Sequence, residues 1–357
     1  MWNFIGNERV VAALGRALET GAAAHAYLFA GPERVGKRTL ALQLAQVLNC
    51  TGGATGSSDA VTAGAVTYGC VSEPCGSCTP CRRIAAGLHA DVQVITVEPS
   101  DEGPAHKAIS VAQVREVERA VALNPFEGRT RVVIFDPADA MNGEAQNAFL
   151  KTLEEPPPHV VFVLVTARHE RLLPTIRSRC RRLEFRLLPV TAVEEALRSA
   201  GVEAEKARLL ARVSRGAIGW ALEAAQDPSL LERRREMLRV ASSLAGMSIA
   251  ERMALAERLA LDFRRDREGV LAQLSLWQSW WRDVLRAQSG AEDGVANVDM
   301  APELRQDASR YHVREVAAFV RALGATQRHL EENVQPRLAL EALLLEAPSV
   351  SVAPARA

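Results

Sequence analysis

Apolar and polar residues follow two regimes along this 357-residue chain, and the change falls at Pro189. Before it, apolar runs at 26–30, 91–97, 131–136, 160–166 and 182–187 are separated by stretches with apolar positions at helical spacing. Short strands interleaved with amphipathic helices predict a parallel sheet covered on both faces. Ser110 and Gln113 stand three apart ahead of such a stretch, which predicts a capping box opening a helix to about residue 122. After Pro189 the strand pattern stops. Segments 193–199, 204–213 and 216–225 read as short helices, and 229–345 as long ones with apolar residues three and four apart. Trp277, Trp280 and Trp281 share that spacing, which favours a packed helix face over a platform for stacking bases. The pattern predicts an α/β domain at 1–188, a small helical domain at 189–228 and a larger all-α domain at 229–346. Residues 51–69 are small and polar and read as a flexible insertion. The tail 347–357, rich in Ala, Pro, Ser and Val, is expected to be disordered.

Two segments of the α/β region carry chemistry. Residues 31–39, Gly31-Pro-Glu-Arg-Val-Gly36-Lys37-Arg38-Thr39, match a phosphate-binding loop except at one position. In G-x-x-x-x-G-K-[ST] the glycines let backbone N–H groups close on phosphates, the lysine reaches the outer ones, and the hydroxyl holds Mg²⁺. Here Arg38 stands where that hydroxyl belongs. Thr39 comes one residue late, which on a helix turns it away by about 100°. The apolar run before the loop and the helical pattern after it supply the expected setting; the plainer alternative is an ordinary strand–turn–helix. The second segment is 131–136, a basic residue, an apolar run and Asp136, the place of a metal-binding aspartate at a strand's C-terminal end. An ATPase of the AAA+ type follows that aspartate with a glutamate that polarises water. This chain has Pro137, which brings no acid and no N–H. Asp136 could alternatively be a carboxylate capping a turn.

Charge and cysteine content narrow the partners. Lys and Arg number 43 and Asp and Glu 43, so no overall field draws the chain to nucleic acid or an anionic membrane. No apolar run is long enough to span a bilayer, and residues 1–6 lack the features of a signal peptide, which points to the cytoplasm. In a reducing compartment, Cys75-x₂-Cys78-x₂-Cys81 suits a structural zinc ion better than disulfides. A fourth thiolate is needed, and Cys50 and Cys70 are both candidates. Free thiols and an iron–sulfur cluster are the rivals, but ferredoxin spacing needs a further x₃-Cys-Pro that does not follow Cys81. Cys180, remote from the others, reads as a small buried residue.

The most specific text is Asn147-Ala-Phe-Leu-Lys-Thr-Leu-Glu-Glu-Pro-Pro157, followed by Thr175-Ile-Arg-Ser-Arg-Cys180. It resembles the bacterial sliding-clamp loader ATPases: the first stretch looks like their signature helix, and Ser178, Arg179 and Cys180 like their Ser-Arg-Cys motif. The resemblance extends to Asn3-Phe-Ile-Gly-Asn7 at the opening, to Cys75–Cys81 with Cys50 at the first zinc-ligand position, and to 281–285 and 333–344 in the helical region. It implies a RecA-like AAA+ domain with a zinc module near 50–81, a helical lid, and a helical collar closing a five-subunit arc. The partners implied are the gamma/tau-type motor subunits, a delta subunit, the ring-shaped clamp and primer–template DNA, at the replisome.

The departures from the family pattern favour its non-hydrolysing stator, an accessory subunit of the replicative polymerase, over its motor. A motor keeps Ser or Thr at 38 and an acid at 137, and carries a lid arginine where Gly219 stands here. It also has a long polymerase-binding extension. ATP binding to Gly31, Gly36, Lys37, Thr39 and Asp136 is then weak or lost, and Thr166, at the place of the residue that contacts the γ-phosphate, is vestigial. The resemblance makes Arg179 a finger reaching into a neighbouring motor's ATP site. Its plainer reading is a surface ion pair, the role also expected of Arg177, Arg181 and Arg182. A working AAA+ ATPase and a zinc-dependent nucleic-acid binder are the competing functions, and zero net charge disfavours the second.

Overall fold

The computed structural model describes residue 2 and residues 4–52, 73–100, 103–332 and 334–348. Asn3, Cys70, Asn333, most of the 51–69 insertion and the tail beyond 348 lie outside the described residues. Contacts divide the chain into a first body, Met1–Leu188 with Ala217–Gly219, and a second, Pro189–Gly216 with Trp220–Ala357.

In the first body the strands are β1 (Ala26–Ala30), β2 (Val92–Ile95), β3 (Glu98–Ser100), β4 (Gly103–Ala108), β5 (Arg131–Phe135), β6 (Val160–Thr166) and β7 (Arg181–Glu184). The helices are α1 (Glu8–Glu19), α2 (Lys37–Asn49), α3 (Thr79–Ala85), α4 (Val111–Val121), α5 (Gly143–Glu154) and α6 (Pro174–Arg179). Five strands form a parallel sheet in the order β2-β5-β6-β1-β7. The period of two sorts each strand onto two cores. In β1, Tyr27 and Phe29 join the cluster built with α1 and α2, while Ala26, Leu28 and Ala30 join that of α4 and α5. With both faces covered, every residue of β1, β5 and β6 is buried. Ser110 and Gln113 cap α4 reciprocally, as their spacing predicts.

The antiparallel pair β3–β4 is not foreseen by the apolar pattern, because Pro99, Gly103 and Pro104 interrupt it. The run expected at 182–187 forms strand only to Glu184.

The second body is helical, save that α9 begins in the first: α7 (Val190–Ser199), α8 (Ala204–Val213), α9 (Ile218–Gln226), α10 (Pro228–Ser243), α11 (Ile249–Arg265), α12 (Arg267–Gln288), α13 (Ala301–Arg310), α14 (Val313–Glu331) and α15 (Pro336–Leu345). Trp277, Trp280 and Trp281 on α12 are fully buried in its core. The Trp280 indole N–H donates to Asp307 at 2.9 Å, and the ring of Trp281 meets those of Tyr311 and Phe319. That face is core, not a base-stacking platform. Order continues to Ala347, which is buried and whose carbonyl accepts from Arg252 at 3.2 Å.

One buried carboxylate holds the sheet end opposite the phosphate loop. Asp91, fully buried, accepts from the backbone N–H groups of Phe126, Glu127 and Gly128, each at 2.8 Å, and from Arg131 at 2.9 Å. Burial alone would raise its pKa, but these four donors outweigh it and hold the carboxyl at about 2. A depressed carboxylate pKa stabilises the fold above its unfolded value near 4, and the contribution is lost as pH falls toward 2. Asp91→Asn would leave Arg131 buried without its counter-charge, and should cost about 3 kcal/mol at neutral pH. Urea unfolding at pH 7 and at pH 3 checks this: the gap between wild type and variant should shrink at the lower pH.

Candidate functional site

Parallel pairing brings the C-terminal ends of β5, β6 and β1 to one edge, and the residues that follow them meet there. Gly31 begins the loop after β1, Thr166 ends β6, and Asp136 follows β5. Gly36 precedes α2 with φ +91°, which a side chain would strain, and a Cβ there would lie 2.7 Å from the ring of Phe4. Phe4 belongs to a segment tied down by Asn7, whose carboxamide bonds the backbone of Arg186 in both directions, at 3.2 and 2.8 Å.

The loop is closed on its own lysine. Lys37 is buried, and its ammonium donates to the carbonyls of Gly31 (2.6 Å) and Pro32 (2.5 Å). Burial pulls its pKa down to about 8, against the opposing pull of Glu33, Asp136 and Asp139. Arg38 places its guanidinium 3.7 Å from Asp136, while Thr39 is exposed on the next position of the helix. Burial raises the Asp136 pKa, and Arg38 and then Lys37 work against it.

Thr166 is fully engaged. Its hydroxyl donates to Asp139 at 2.6 Å and accepts from the backbone N–H of Arg168, whose guanidinium completes the group at 2.9 Å from Asp139. Sequence reasoning misses Asp139, although a second acid three residues after Asp136 is a visible signal. The backbone N–H of Gly219 donates to Arg34 of the loop at 2.7 Å.

Arg179 ends α6. It donates to Glu154 on α5 at 2.6 Å and to the carbonyl of Thr175 at 2.9 Å, and its side chain keeps 34% of its exposure. The ion pair expected of an ordinary surface arginine is therefore present in the isolated chain. Arg182 pairs similarly with Glu184 at 2.6 Å. Cys180 is buried, and that burial pushes its thiol up to about 12, so it is an inert packing residue.

The Sγ atoms of Cys50, Cys75, Cys78 and Cys81 lie within 4.8 Å of one another. Cys50 caps the end of α2, Cys78 the start of α3, and Cys81 lies within α3. Cys50 and Cys78 are 3.8 Å apart and Cys75 and Cys81 are 4.0 Å apart, too far for disulfides. A tetrahedral shell with Zn–S of about 2.3 Å sets sulfurs about 3.8 Å apart, so these four could hold such an ion. The N–H of Cys78, 3.4 Å from the Cys75 sulfur, lowers that thiol to about 6, whereas burial raises Cys81 to about 11. Cys50 therefore joins the triplet, while Cys70 lies outside the described residues.

The family described as "DNA polymerase III, delta subunit" matches residues 6–189, and its C-terminal counterpart matches 233–347. DNA polymerase III subunit delta' of Bacillus subtilis is 28% identical over 94% of this chain and 94% of its own length. The delta' subunit of Pseudomonas aeruginosa is 43% identical over 44% of this chain and 42% of its own. Subunit tau of Escherichia coli is 34% identical over 61% of this chain, which spans 31% of that longer protein.

The cysteine geometry predicts one equivalent of zinc per chain by elemental analysis. Cys50→Ser, Cys75→Ser and Cys78→Ser should each lose the metal and destabilise the first body, and Cys70→Ser should retain it. Gly52→Ala should weaken retention too, since a Cβ there would sit 2.4 Å from the Cys75 sulfur.

Proposed function

This chain belongs to the DNA polymerase III delta-subunit family, and from that premise we propose that it is a delta-prime-type stator of the clamp loader. It turns over no ATP of its own and lends Arg179 to the ATP site of an adjacent gamma/tau-type motor. The loader then places a sliding clamp on primed DNA at the replisome. Zinc at Cys50, Cys75, Cys78 and Cys81 is structural, since four thiolates leave no position open for water.

The observation that carries the reading is Arg38 beside Asp136. A cation stands where a hydrolysing loop keeps a metal-binding hydroxyl, and Pro137 removes the acid that would orient water. A chain without these parts contributes to phosphoryl transfer only at a neighbour's site. Arg179 suits such a role, because it sits at the end of a short helix, partly exposed and paired with the carboxylate of Glu154. A surface pair of this kind contributes about 0–1 kcal/mol, so exchanging Glu154 for a phosphate costs little. The guanidinium's planar fork then bonds the phosphoryl oxygens as charge builds on them.

The test is ATPase and clamp-loading activity of assembled loaders carrying Arg179→Ala or Arg179→Lys. An arginine finger accelerates its site roughly 10³–10⁵-fold, which is about 4–7 kcal/mol. Turnover at the adjoining motor site should therefore nearly vanish, total hydrolysis should fall in part, and loading should fall further, with zinc content and assembly unchanged. Full activity in a verified complex would leave Arg179 as a surface ion-pair residue.

A further inference from the structure

Magnesium does not fit this phosphate loop. In a P-loop NTPase the residue after the lysine and the strand-end aspartate hold the ion together. Here the first is Arg38, and its guanidinium already lies 3.7 Å from the second, Asp136. The other oxygens nearby are committed elsewhere. Asp139 is bonded by Thr166 and Arg168, and the Thr166 hydroxyl is spent on Asp139 and on the Arg168 N–H. Thr39, the one hydroxyl adjacent in sequence, is exposed on the following helical position. A divalent ion would approach a carboxylate already paired with a guanidinium.

We propose that the loop binds the polyphosphate chain of a nucleoside triphosphate as a metal-free anion, with Arg38 in the place of magnesium. Lys37 and Arg38 supply two positive charges at the start of α2, and the loop before it turns through positive φ at Gly31, Arg34 and Gly36. The carbonyls of Gly31 and Pro32 hold the ammonium of Lys37 in the ligand's absence, and phosphate oxygens replace them as acceptors. Arg38 has room to turn from Asp136 toward the phosphates, since 53% of its side chain is exposed. Magnesium neutralises part of the charge these residues recognise, so it competes with the site instead of bridging to it. The inference rests on the non-hydrolysing reading above and extends it to the ligand's ionic form.

Calorimetric titration of the full-length chain with ATPγS, once in EDTA and once in excess magnesium, tests this. Wild type should bind at least as tightly in EDTA. Arg38→Ser restores the hydroxyl and releases Asp136, and should reverse the order, so that magnesium tightens binding about tenfold. Inorganic tripolyphosphate should displace ATPγS from wild type in EDTA, because the groups named here all face phosphate. Failure of that displacement, absence of ATPγS binding under both conditions, or magnesium tightening wild-type binding about tenfold would each overturn the proposal. Magnesium-enhanced binding without turnover would contradict this inference alone, whereas magnesium-dependent turnover would contradict the non-hydrolysing reading beneath it.

Discussion

Three neighbouring parallel strands, β5, β6 and β1, set everything at the phosphate loop through their pairing. Ile134 and Tyr27 both pair with Val163, and Ala30 pairs with Thr166. That register brings Asp136, Thr166 and Gly31 to one edge. A slip of one residue would turn the alternating side chains of β1 to the wrong cores, so burial on both faces enforces the alignment. The frame is therefore independent of the chemistry built on it. Arg38 and Pro137 sit at this edge without disturbing a strand pair, so the frame tolerates changes in the residues it presents.

Other parts of the molecule are held by local devices that do not draw on the loop. The cysteine cluster ties the end of α2 to α3 across a long insertion. In the second body, Asp283 accepts from the N–H groups of Ala296 and Asn297 and from the Asn297 side chain, at 2.7–2.9 Å, while Arg234 pairs with Asp299 at 3.0 Å. Buried charges of this kind are costly to leave unpaired, so they specify one arrangement of the helices more than they add stability.

Legibility in the sequence followed the range of the interaction. The strands β1, β5 and β6, the capping box at Ser110 and the phosphate loop are written in periodicity and short spacing. The cysteine triplet is equally plain, but the approach of Cys50 to it required the fold, because Cys50 reaches the others only at the end of α2. Three features at the site escaped notice because each joins distant segments: Phe4 over Gly36, Asp139 under Thr166, and Glu154 beside Arg179. The β3–β4 ribbon was hidden for another reason, since prolines and a glycine mask any alternation there. Departures at single positions, Arg38 above all, said more about chemistry than the motif surrounding them.

On the proposed reading, this chain keeps the phosphate loop and has lost its turnover. Steady-state ATP hydrolysis by the purified, zinc-replete chain, with Lys37→Ala as the control, addresses that most directly. The expected rate is no higher than background, with no difference between the two proteins. Robust hydrolysis by the wild type, abolished by Lys37→Ala, would contradict the reading and make the chain a motor.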